Sequence, residues 1–280
     1  MTSTLVRLTV CGRPCDIETA WVGSHDPRAP LLVFLHEGLG SLSMWKDFPH
    51  QLCQSAGMRG LVYSRPGYGR STPRAHDERW NLDFMHVQAR EVLPALLEAV
   101  GVDTVAEPPW LFGHSDGGSI ALIHAASFPE RLAGAIVMAP HILVEEFGLA
   151  SIREARQAYQ ATELRDKLAR YHDDVDSAFW GWNDIWLDPR FSTWTIEGLL
   201  PAIRCPVLAI QGRDDPYGTM EQIEGIARRA PQTELLKLAD CGHSPHRDQP
   251  NAVIDAVGRF LLHARPVSPM NAARAVHAST

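Results

Sequence analysis

The chain has 280 residues, 45% of them hydrophobic, enough to bury roughly three quarters of the surface that it would expose unfolded and to form one globular domain with an elaboration. Thirty-three acidic against 26 basic residues give a formal charge of −7, and the Lys and Arg residues are scattered, which argues against nucleic acid or an anionic membrane as partner. No run of about eighteen apolar residues occurs, and "MTSTLVRLTVCGRP" lacks the basic, apolar and small-residue succession of a secretory leader, so a soluble cytoplasmic protein is expected.

Leu5 to Val10 and Asp16 to Val22 alternate apolar and polar residues around "CGRPC", which predicts a hairpin. The period then changes. Leu31 to Leu35, Gly60 to Tyr63, Trp110 to Phe112, Leu132 to Met138 and Pro206 to Ile210 are short continuous apolar runs, as suits strands covered on both faces of a parallel sheet. Helical spacing separates them at Met44 to Ala56, Leu82 to Val100, Gly118 to Ser127, Met220 to Ala230 and Ala252 to Leu262. The alternation predicts an α/β fold with a mostly parallel central sheet and helices on both faces. Residues 141–204 interrupt it with a helical, charged segment holding four of the eight tryptophans, Trp180, Trp182, Trp186 and Trp194. The segment reads as a helical insertion over the sheet, between core regions 1–140 and 205–265, and residues 266–280 read as a loose tail. The cysteines Cys11, Cys15, Cys53, Cys205 and Cys241 are odd in number and form no CxxC pair, so reduced structural roles are expected.

"GHSDG" at residues 113–117 fits Gly-x-Ser-x-Gly, a pattern that means little alone. Its setting gives it weight. It follows the apolar strand "PWLF" and opens the helical "GGSIALIHAAS", the strand-to-helix turn on which a serine is held strained with its hydroxyl exposed. A serine hydroxyl is a weak nucleophile unless a base activates it and a third group orients the base. Candidates follow in the required order: Asp214 and Asp215 after the strand "CPVLAIQG", then His243 after "TELLKLAD". The amide of Asp116, at a helix start, is a candidate oxyanion donor. His86, His124 and His172 read as residues of helical segments with no motif around them, and His114, directly before the serine, as a local packing or bonding residue. No HExxH or paired CxxC occurs, so neither a metal site nor a cofactor is expected.

Nearly the whole chain, through "LLVFLHEGLGS", "YSRPGYGRST", "GHSDGG", "VLAIQGRDD" and "CGHSPH", resembles the α/β-hydrolase fold family. The resemblance implies that the acid stands three residues after Gly212, which selects Asp215 over Asp214, and that the base follows a glycine, which selects His243 over His246. It implies a second oxyanion donor from the loop after "LLVFL", namely Gly38, with Leu39 as alternative. That loop usually begins His-Gly. Here Glu37 takes the glycine position, and its carboxylate is expected to point away from the oxyanion. An insertion between the sixth and seventh core strands acts in the family as a lid, and residues 141–204 match it. Trp182 and Trp186, one helical turn apart, either glue this lid to the core or line a pocket, with His141 at its mouth.

The expected activity is a serine hydrolase cleaving a carboxylic ester, thioester or lactone through an acyl-enzyme, on a partly apolar small-molecule substrate. Carbon–carbon bond hydrolysis of a ring-cleavage dienoate is the alternative, although no tryptophan follows His243; a non-catalytic binding homologue is the third. Dehalogenase and epoxide hydrolase readings are weaker, because those relatives carry an aspartate in place of Ser115. A homodimer is compatible with the sequence.

Overall fold

The structure is a computed structural model and describes residues 2–264; the tail expected at 266–280 lies outside the described residues. Eight strands form one sheet in the order β1-β2-β4-β3-β5-β6-β7-β8. They are β1 (Thr4–Val10), β2 (Arg13–Gly23), β3 (Leu31–Leu35), β4 (Arg59–Tyr63), β5 (Trp110–His114), β6 (Gly134–Met138), β7 (Val207–Gly212) and β8 (Thr233–Leu238). β2 runs antiparallel to β1 and β4, and all pairs from β4 to β8 are parallel. The hairpin turns on Cys11 and Gly12, both at positive φ (49° and 75°), with Val10 paired to Arg13. Two consecutive left-handed residues give the two-residue turn whose twist matches flanking strands.

The helices are α1 (Phe48–Ala56), α2 (Phe84–Val87), α3 (Leu93–Ala99), α4 (Asp116–Ser127), α5 (Glu146–Ala161), α6 (Leu164–Leu168), α7 (Val175–Trp186), α8 (Glu221–Arg229), α9 (Pro245–Asp248) and α10 (Pro250–Ala264). The continuous apolar strands are explained by burial on two sides. Leu31, Val33 and Leu35 join the cluster holding Leu93, Ile120 and Ile223 of α3, α4 and α8, whereas Leu32 and Phe34 join the one holding Leu52 of α1 and Val253 of α10.

Two expected helices are broken. The Met44 to Ala56 pattern splits into a 3-10 turn at Leu42–Trp45 and α1, which has a proline in its first turn. The Leu82 to Val100 pattern holds a π turn at Gln88–Val92 directly before Pro94. Proline offers no N–H to the carbonyl four residues back and its ring crowds that carbonyl, so the preceding turn widens. Between β6 and β7 lie α5, α6, α7 and two 3-10 turns, whose buried residues merge with the core cluster on the α4 side. Where this segment leaves and rejoins the sheet, its ends are stitched by a bridge between Leu143 and Thr195 and by the Ile196 N–H donating to Ile142 O at 2.8 Å.

Candidate active site

β5 ends at His114 and α4 begins at Asp116, leaving Ser115 as the single residue of the turn between them. Its backbone sits at φ 53°, ψ −119°, a strained position for a residue with a Cβ. Three bonds hold it there. The Ser115 N–H donates to Met138 O (2.9 Å), continuing the sheet ladder, while its carbonyl accepts the N–H groups of Gly118 and Ser119, starting the helix. A Cβ on Gly117 would overlap the Leu35 carbonyl, so the turn packs this closely against β3 only with glycine there.

Asp215 and His243 stand in the loops after β7 and β8. His243 Nδ1 lies 2.9 and 2.8 Å from the two Asp215 carboxylate oxygens, so it carries the proton and Nε2 keeps a free lone pair. Asp215 is buried and receives two more donors, Gln211 Nε2 at 2.7 Å and the Tyr217 N–H at 2.8 Å. Burial pushes its pKa up, but the His243 hydrogen bond, the imidazole charge and the Tyr217 amide outweigh that and hold it below the usual carboxylate range. Asp214 is exposed, and its backbone N–H donates to Cys241 O at 3.0 Å. His246 is buried away from the acid, against Trp45, Phe48 and His114, where burial depresses its pKa to about 2. His114 Nε2 donates to the His243 carbonyl at 2.7 Å, so the residue before the serine fixes the backbone of the histidine. The hydrogen bonds among the described residues do not include one from Ser115 Oγ to His243 Nε2; bonds of this kind are often long before substrate binds.

Residues 37–40 form a tight turn, with the Gly40 N–H donating to Glu37 O at 3.1 Å. The central residues Gly38 and Leu39 carry the two amides expected as alternative oxyanion donors. Glu37 directs its carboxylate at His114 Nδ1 (3.4 Å) and Arg247 (3.7 Å). Desolvation alone would raise its pKa, but the His114 contact and the Arg247 charge hold it well below the usual value.

The tryptophans of α7 reach this same ground. Trp182 lays its pyrrole edge on Gly38, where any Cβ would overlap the ring, and Trp186 Nε1 donates to Asp116 Oδ1 at 3.1 Å. α7 thus touches both expected oxyanion elements. The Asp116 side chain is more engaged than its position suggests: it is buried, has its pKa raised by desolvation, and faces the buried Arg65 guanidinium at 3.5 Å. Arg65 also donates to Glu37 O at 2.8 Å, and its own N–H is accepted by His36 Nε2 at 2.9 Å. His141 is buried with its ring 4.9 Å from Trp186 and 6.0 Å from His243, and burial lowers its pKa to about 3. Of the remaining histidines, His86 and His124 lie in α2 and α4, whereas His172 stands in the connection between α6 and α7 and not in a helix as expected. Sequence reading assigns no role to Arg65 or Gln211 and sets His172 aside as a helical residue. "YSRPGYGRST" and "AIQG" contain the first two, but no spacing rule pairs Arg65 with Glu37 and Asp116, or Gln211 with Asp215. Among the described residues no group of three or more His, Cys, Asp or Glu side chains is arranged to hold a metal ion.

Residues 32–256 match the model of the alpha/beta hydrolase family. The chain is 24% identical over 248 residues to 2-hydroxy-6-oxo-6-phenylhexa-2,4-dienoate hydrolase of Comamonas testosteroni, covering 76% of this chain and 80% of that one. It is 28% identical over 265 residues to monoglyceride lipase of Rattus norvegicus, covering 87% and 85%. Among solved structures, a thermophilic esterase from Thermogutta terrifontis superposes with a TM-score of 0.69 at 21% identity, over 95% of this chain and all of that one. A membrane phospholipase A gives 0.74 at 21% identity, over 95% and 87%.

Proposed function

The chain belongs to the alpha/beta hydrolase family, and from that premise we propose that it cleaves a carboxylic ester, or a related thioester or lactone, through a serine acyl-enzyme. The observation that carries the reading is the His243–Asp215 contact, which leaves Nε2 as a free base at the sheet edge where Ser115 is held strained. In the proposed cycle Ser115 Oγ attacks the acyl carbon as His243 Nε2 takes its proton. The tetrahedral oxyanion is met by the amides of Asp116 and of Gly38 or Leu39. The imidazolium then protonates the leaving alkoxide. Water, deprotonated by the same Nε2, attacks the acyl-enzyme and restores Ser115. Residues 141–204 act as the lid, with Trp182, Trp186 and His141 as walls against the acyl group. No step calls for a metal or an organic cofactor.

Short-chain 4-nitrophenyl esters and a fluorophosphonate probe test this directly. The protein is expected to hydrolyse the former and be labelled by the latter, and Ser115→Ala to lose both; activity and labelling that survive the substitution would overturn the reading. The Comamonas relative acts on a dienoate, as its name states, and supports a second reading with the same three residues. Loss of dienoate absorbance at a higher kcat/KM than any ester would favour it.

A further inference from the structure

The turn that offers the Gly38 and Leu39 amides is fixed on both flanks. On one side the Glu37 carbonyl accepts from Arg65 Nη2 (2.8 Å), His36 Nδ1 (2.7 Å) and the Gly40 N–H. On the other side the Leu39 carbonyl is held from outside the sheet core, by His172 at 3.0 Å. Between these two anchored carbonyls, neither the Gly38 nor the Leu39 amide has a hydrogen-bond partner among the described residues.

His172 is buried, and its two ring nitrogens have opposite duties. Nδ1 is 3.0 Å from the Gly69 N–H, which can only donate, and Nε2 is 3.0 Å from Leu39 O, which can only accept. The ring is therefore neutral with its proton on Nε2. Burial supports the same state by lowering the His172 pKa. Gly69 is a rigid support: a Cβ there would overlap Ser64 Oγ and come within 2.6 Å of Glu18 Oε2, and its carbonyl accepts the Asp173 N–H at 2.9 Å.

We propose that His172 is a positioning residue for the oxyanion turn, tying Leu39 to the Gly69 loop so that the Gly38 and Leu39 amides are aimed before substrate arrives. The idea rests on the serine-hydrolase reading for its catalytic consequence. Donors aimed at developing charge lower the barrier because they need no reorganisation during the reaction. Released at Leu39, the central peptide of a tight turn can rotate and turn its amide away. The bond comes from the connection leading into α7, so seating of residues 141–204 and readiness of the turn become one event.

His172→Phe keeps a ring of similar volume and removes both bonds, and His172→Gln restores a donor at the Nε2 position. Against 4-nitrophenyl acetate, His172→Phe is expected to lower kcat about tenfold or more with KM within about twofold, and His172→Gln to recover most of the loss. Amide hydrogen exchange across residues 37–42 is expected to speed up in His172→Phe alone. A folded His172→Phe with unchanged kcat, equal losses in both variants, or failure of both to fold would overturn the proposal. If the wild-type protein shows no Ser115-dependent turnover, the serine-hydrolase reading fails separately, and exchange decides on His172: equal rates in wild type and His172→Phe would overturn it.

Discussion

Gln211 does its work through a neighbour. Its side-chain nitrogen donates to Asp215 and to Gly218 O (3.1 Å), so it fixes the carboxylate that fixes His243. Replacing it by Met removes a donor from a buried anion, a loss of about 1.5–3 kcal/mol in contacts of this kind. With that donor gone the carboxylate is free to turn away from His243 Nδ1. For Gln211→Met we therefore expect kcat to fall about tenfold with KM within about twofold; an unchanged kcat would show that Gln211 only packs. At this scale the sequence was informative about chemistry and silent about support. Ser115, Asp215 and His243 each stand in a motif whose spacing reflects a turn, whereas Arg65 gains its role from Asp116 and Glu37, which only folding brings to it.

Among the elements, the β5–α4 turn has the least room. Gly117 faces the Leu35 carbonyl, a backbone atom that cannot swing aside as a side chain can. Gly117→Ala is expected to lower the Tm by more than about 5 °C, or to prevent accumulation of folded protein, because a strained backbone would have to move a central strand. A Tm within 1 °C of wild type would contradict the close approach. Strand positions were legible because two-sided burial leaves an uninterrupted apolar run. The π turn before Pro94 was not, since an apolar helical period persists through it while the hydrogen bonds change partner. Nor could the period show that Trp182 and Trp186, one turn apart on α7, meet Gly38 and Asp116 respectively. It fixed their common face and left the opposing surface open.

For the whole molecule, buried histidines govern the response to acid. Burial depresses the pKa of His124 to about 4, of His141 to about 3 and of His246 to about 2, and that of His36 well below its usual value. Folded, these rings stay neutral. In the unfolded chain they bind protons below pH ~6.5, so the unfolded state gains protons first and stability falls as pH drops, by up to ~1.4 kcal/mol per pH unit for each ring until its folded value is reached. Asp215 and Glu37, with lowered folded values, add further loss as pH falls below the usual carboxylate range. The Tm is expected to start declining near pH 6.5, before any carboxylate titrates in the unfolded chain; a level Tm from pH 8 to pH 5 would refute neutral burial.

The bridge between Leu143 and Thr195 has a consequence for how such a molecule diversifies. Because the segment's two ends are joined to each other beside the sheet, it returns to β7 close to where it left β6, while its helices pack on the core cluster. Its interior can lengthen, shorten or be exchanged for another without re-registering β6 against β7. Any such exchange is constrained at one place: the incoming segment must still present an acceptable neighbour to Gly38, Asp116 and Leu39.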